Sequence, residues 1–171
     1  MRSFLIFTFI FCLPWAAYTE EVDIKGYEIL KVNHELLDQD GNTHQEIGNF
    51  VAKARYQRFL EESKKATGIR FQIHWRAPSS DIPNFAVKVD AYGFDADTDR
   101  ETLVTLTKTY PQILNSAEWT TLDIKGDSFK RLSKLMAWKV TLLQNGQPVA
   151  IQKSFTWDDS LVASQKTVEN K

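Results

Sequence analysis

Three carboxylates at alternate positions, Asp95-Ala96-Asp97-Thr98-Asp99, with Glu101 two residues on, form the densest cluster of potential ligands in the chain. Carboxylates spaced this way in a loop can converge on Ca²⁺, a hard cation that takes about six to eight oxygen ligands. The EF-hand pattern is not met, because its sixth position falls on Arg100 instead of Gly and its twelfth on Leu106 instead of Glu. Asp95, Asp97 and Asp99 are therefore a candidate calcium loop on spacing alone. The alternative is an acidic turn between two strands, with Asp selected for turn geometry. Asp38-Gln39-Asp40-Gly41-Asn42 reads as a plain hairpin turn around Asp40-Gly41.

Aromatic side chains are the second source of recognition chemistry. If Leu122 and Ile124 face a core, strand parity turns Trp119 outward with Thr121 and Asp123, where an indole can stack on a sugar ring or a partner. The competing arrangement starts the strand after Trp119 and folds that ring under the loop as a core edge. Tyr92 falls on the parity opposite to Val87, Val89 and Ala91, and is the second candidate ligand-binding residue. Trp75, Trp138 and Trp157 lie on apolar strand faces and are expected in the core. Arg70, Gln72, His74 and Arg76 alternate with Ile69, Phe71, Ile73 and Trp75, making a polar, basic strand face that reads first as the solvated side of a half-buried sheet.

Catalytic patterns are missing. There is no Gly-x-Ser-x-Gly elbow, no His-Glu-x-x-His helix and no Gly-rich phosphate loop. His34, His44 and His74 are scattered in sequence, and nothing in their spacing demands a metal. The lone cysteine, Cys12, lies in an apolar N-terminal run, so the rest of the chain has neither a thiolate nucleophile nor a disulfide.

The elements that would position these groups are mostly strands. Asn145-Gly146 is the preferred pair for a two-residue type I′ turn. Pairing outward from it sets Leu142 against Val149, Val140 against Ile151 and Trp138 against Lys153. One face then carries Met136, Trp138, Val140, Leu142, Val149, Ile151, Phe155 and Trp157, with Lys153 the only misfit. Strands also read through Ile69–Trp75 and Phe85–Ala91, where the parity slip at Tyr92 and Phe94 implies a bulge at Gly93. Shorter strands are expected at 27–37, 101–109 and 119–124. Residues 50–65 predict one amphipathic helix, since Ala52, Tyr56, Phe59, Leu60 and Ser63 recur at helical spacing and Gly68 follows; a strand through Val51–Phe59 is the alternative.

Arg2, the apolar run Phe4–Ala17 and the polar sequence from Thr19 onward have the form of a secretory signal peptide. The run is too short to span a bilayer, so residues 1–19 are expected to be removed by a cut between 17 and 20. No membrane anchor would remain, and the product would be secreted or periplasmic. One domain is expected over 20–157, followed by a flexible polar tail over 158–171. The net charge of −1 in 171 residues, without a block of one sign, points away from nucleic acid.

The closing Trp138-x-Val140-x-Leu142 … Asn145-Gly146 … Phe155-x-Trp157 hairpin resembles the last two strands of immunoglobulin-like and fibronectin-III-like domains. That resemblance implies a single antiparallel β-sandwich, here carrying one helix, and by itself implies no function. The functional expectation is a non-enzymatic extracytoplasmic binding or structural module without a cofactor. Protein–protein interaction leads, carbohydrate binding through Trp119 follows, and a small secreted hydrolase comes last.

Overall fold

The computed structural model describes residues 24–43, 66–95, 98, 100–132 and 134–160. Their elements run β1 (Glu28–Leu37), β2 (Gly68–Arg76), β3 (Pro83–Phe94), β4 (Glu101–Gln112), β5 (Ala117–Lys125), a short helix α1 (Gly126–Arg131), β6 (Lys134–Gln144) and β7 (Gln147–Lys153). The expected helix at 50–65 lies outside the described residues, as do the leader and residues 161–171. Two antiparallel sheets form, one ordered β1-β2-β5 and the other β4-β3-β6-β7.

Alternation places the core. Ile69, Phe71, Ile73 and Trp75 of β2 face Phe85, Val87, Val89 and Ala91 of β3, and all are buried. An aromatic cluster ties the sheets together, with the Trp75 ring 4.6 Å from Phe85 and 6.0 Å from Tyr110. Burying an indole requires a partner for its N–H. Trp75 Nε1 donates to Thr120 Oγ1 at 2.7 Å, and that hydroxyl also bonds the Tyr110 hydroxyl at 2.7 Å. Tyr27 packs on Phe85 and donates to Gln144 Oε1 at 2.6 Å. At the other end Leu132, just beyond α1, is fully buried.

A bulge does lie beside Gly93, but its extra residue is Met136 of β6: Tyr92 pairs with Ala137 and Gly93 with Leu135, while β3 keeps a regular register with β4. A Cβ there would collide with the Lys134 carbonyl, so only glycine allows the two strands this close. At the closing hairpin both Asn145 and Gly146 take positive φ, as a type I′ turn needs. The register beyond the turn corrects the expected one. A bulge between Leu142 and Leu143 sets Leu143 against Pro148 but Leu142 against Ala150, so Thr141 faces Ile151 and Lys139 faces Lys153. The extra residue lets Val149 and Ala150 both reach the core and reverses the parity of the remaining β7 residues. Lys153, the misfit, thereby turns outward.

That reversal has consequences downstream. Gln152 lands opposite Val140 on the inner side, where its Oε1 is sealed without a hydrogen-bond partner. Phe155 is fully exposed, and Met136 is partly exposed. Trp157 leaves the core and lies over the Lys139 ammonium, 4.8 Å from it, while its Nε1 donates to Asp159. Asp159 also accepts from Lys139 at 3.0 Å and Lys153 at 2.6 Å. Against the cost of its own burial, these bonds hold its carboxyl below the usual range. The expected loose tail from Asp158 is thus tied down at least through Asp159.

Two substitutions test this packing. Thr120→Val keeps the volume but removes the acceptor for Trp75, and is expected to lower stability by about 2 kcal/mol through an unsatisfied buried donor. An unchanged urea midpoint would refute that bond. Gln152→Leu removes a sealed, unpartnered oxygen and is expected to raise stability by about 1 kcal/mol in the same measurement.

Candidate functional site

The outer face of the three-stranded sheet is built by register. Each β2 residue that points away from the core meets one residue from β1 and one from β5, giving four rows across the sheet. Glu35, Arg70 and Asp123 form one row, and Asn33, Gln72 and Thr121 the next. Lys31, His74 and Trp119 make the third row, and Glu28, Arg76 and Ala117 the fourth. Successive rows lie about 7 Å apart, two residues along extended strands.

Trp119 lies within β5 and its ring is 47% exposed. The strand therefore begins before it, and the arrangement in which Trp119 folds under the loop does not occur. Its cross-strand partner is His74, and the two rings stack with centroids 4.7 Å apart and planes 7° from parallel. That separation equals the spacing of neighbouring strands, so the rings stand side by side, one on each strand. One indole face rests on the imidazole. The opposite face looks past β5, the last described strand of its sheet.

Several charged groups of this surface are paired with one another, whereas Glu35 Oε2 is sealed without a hydrogen-bond partner and Lys31 makes no ion pair among the described residues. Arg70 donates from Nε and Nη2 to both oxygens of Asp123 at 2.8 Å, and Lys125 Nζ lies 2.8 Å from the same carboxylate. These donors, the Arg70 bond foremost, lower the Asp123 carboxyl to about 2. Arg76 bonds Glu28. The side chains of Asn33, Gln72 and Thr121, by contrast, make no hydrogen bond among the described residues, and Thr121 is exposed.

Tyr92 corrects its expectation. It does not stand at the surface but is 5% exposed, set between Leu103 of β4 and Ala137 of β6. Burial, and then a hydrogen bond with Glu101, push its hydroxyl up to about 12. The outer face of this second sheet is partly closed over, for Asp90 and Thr141 are buried there as well. Asp90 is held by Lys88 Nζ at 2.9 Å and Thr105 Oγ1 at 2.6 Å.

The acidic loop is described only in part. The Asp95 carboxylate accepts from the Thr98 N–H at 3.0 Å and its own N–H donates to the Arg100 carbonyl, which is turn chemistry. Asp97 and Asp99 lie outside the described residues. Among the described residues no group of three or more His, Cys, Asp or Glu could hold a metal ion, and no helix is long and apolar enough to cross a membrane. His34 and His74 do not meet: His34 lies between Phe71 and Trp138, 6.0 and 6.5 Å away, on the core side of β1.

Two parts of this site escaped sequence reasoning. The His74–Trp119 stack depends on a register between strands far apart in sequence. Thr120 had a usable signal, because a residue flanked by outward Trp119 and Thr121 must point inward, and an inward threonine beside an inward tryptophan is an acceptor in waiting.

No family model and no curated protein matches the chain. Among solved structures it is similar to a crystal structure of a protein from Akkermansia muciniphila, at 15% identity and a TM-score of 0.50. The match covers 75% of this chain and 70% of that one. At such identity the likeness bears on the fold alone, which among the described residues is mainly β, with two antiparallel sheets and the short helix α1.

The Arg70–Asp123 pair gives a pH signature. Asp123 is more acidic in the fold than at its ordinary 3.8, so pairing stabilises the fold above that value and the contribution is lost as pH falls toward about 2. Arg70→Met is expected to flatten part of the decline in stability across that window. Parallel curves for variant and wild type would show the pair to be energetically idle.

Proposed function

We propose that this chain is a secreted or periplasmic, non-enzymatic binding module of the immunoglobulin-like or fibronectin-III-like kind, and that it binds through the outer face of its three-stranded sheet. The observation that carries the reading is Trp119, a large residue left half-exposed on the outermost described strand of a polar face and braced by His74. Exposing an indole there forgoes its burial, and a ring held between ladder-bonded strands is already ordered for contact. The strand order supports the sandwich assignment. It differs from the antibody constant arrangement, which also sets four strands against three, in that the fourth strand, β4, pairs with β3 instead of β5. A single binding domain over 20–157, released from a leader ending between residues 17 and 20, completes the proposal.

Either a protein or a glycan could occupy this face, and one experiment locates the contact whichever it is. A benzophenone-bearing residue in place of Ala117, on the same face as Trp119, is expected to trap a covalent adduct when illuminated in the producing cells. The same group in place of Thr107, on the outer face of the other sheet, is expected to trap none. Equal yields at both positions, or none at either, would refute the assignment of this face. The N-terminus of the exported protein, read by intact mass, is expected between residues 18 and 20.

A further inference from the structure

We propose that the partner of this face is a second copy of the chain, whose β5 pairs antiparallel with β5 about a two-fold axis at Leu122 and covers the free side of Trp119; this rests on the preceding assignment of the binding surface. An edge strand exposes a row of unpaired backbone N–H and C=O groups. Edges that stay single are guarded by bulges, proline, lysine or an inward-pointing charge. Three of the four described edge strands carry such guards. β1 has a bulge at the exposed Leu30, followed by the unpaired Lys31. β4 has Pro111, and Lys108 on its core-facing side opposite Val87, with the ammonium over the Tyr110 ring. β7 has a bulge, Pro148, and the Ile24 N–H bonded to the Val149 carbonyl.

β5 is different. Its nine residues pair with β2 in an unbroken register, without proline or bulge. Its one guard is Glu118, which shares the core-facing side with Thr120, Leu122 and Ile124 but stands near the strand's start. The stretch Trp119–Lys125 is left open, and no described strand lies beyond it. An added strand would stand about 4.7–4.9 Å further out, the separation at which His74 and Trp119 already stack. Whatever side chain that strand sets across from Trp119 therefore meets the free face of the indole.

The open stretch is complementary to itself in one register. Centring the pair on Leu122 sets Leu122 against Leu122 and Thr120 against Ile124 on the core side. On the outer side Thr121 meets Asp123, and Trp119 meets Lys125 of the second copy, a lysine stem and ammonium against an indole face. Asp123 keeps both Arg70 bonds, because Arg70 reaches it from β2, and Lys125 is then free to turn to the ring. The paired stretch ends before Glu118. Moving the centre to Thr121 would set Glu118 against Ile124, and moving it to Asp123 would set two aspartates face to face. Leu30, Lys31 and Glu35 take no part, because β1 is at the far side of the sheet. The contact uses the same surface on both copies and closes at two.

The test is sedimentation velocity of the protein as recovered from its producing cells, over a wide range of concentration. A concentration-dependent dimer is expected. Thr121→Asp, which opposes Asp123 of the second copy, should weaken it at least tenfold, and so should Trp119→Ala. Thr121→Lys, facing the same carboxylate, should strengthen it several-fold. Thr121 is exposed, and equal melting temperatures at a concentration where every variant is monomeric would show that the shifts are not losses of fold. A monomer at every concentration would overturn the second copy as partner. A dimer on which the two Thr121 variants act alike would do the same, since it would use another register or another surface. The adduct at position 117 separates this failure from that of the binding face. Twice the chain's mass is expected there; any other mass would remove the second copy alone, and no adduct would remove both.

Discussion

The hydrogen bond from the Trp75 indole to Thr120 is the interaction on which the sandwich turns. Beyond Cys12 the chain has no cysteine, so nothing covalent joins the two sheets, and the joint must be made by packing alone. Trp75 fills that role by reaching Phe85 and Tyr110 across the interior. A large ring can sit there only if its one polar atom is satisfied, because an orphaned buried N–H costs about 1–3 kcal/mol, a sizeable share of a domain's net stability. Thr120 satisfies it from the neighbouring strand of the same sheet, and Tyr110 closes the network from the other sheet. Core and crosslink are thus one device.

Much of the fold was legible because its dominant signal is local. Side-chain alternation through Ile69–Trp75 and Phe85–Ala91 identifies a strand and its buried face from a few residues, whatever the strand pairs with. Asn145-Gly146 and Gly93 were legible for a related reason, since few residues tolerate positive φ or the close approach of another backbone. The failures were non-local. A one-residue bulge at Pro148–Val149 inverts every facing downstream, and nothing in that stretch of sequence distinguishes a bulged strand from a regular one. Ile151 and Phe155 looked like core residues only under a register that a single extra residue abolishes, and Lys153 was the trace of the error.

The candidate site was half legible for the same reason. Parity alone turned Trp119 outward once Leu122 and Ile124 were assigned inward. Parity also brought Tyr92 to the outer face of its sheet, but could not say that this face is partly closed. Exposure is a property of layers, and a central strand such as β3 has neighbours on both sides that can cover a ring. Trp119 stays open because no described strand lies beyond β5. The difference between the two aromatic candidates is therefore their place in the strand order, which no local pattern encodes.

Core and surface are not independent in this arrangement. Trp119 and Thr120 are adjacent, and a strand sends consecutive side chains to opposite faces. The register that brings Thr120 beneath Trp75 necessarily sets Trp119 against His74 on the other side. A slip of one residue in β5 would bury the indole where the hydroxyl is needed and strand the Trp75 N–H. Selection for a stable interior consequently holds the surface ring in position at no further entropic cost, so that the ring is preorganised. The same strand pairing that closes the core also sets the exposed ring in its place.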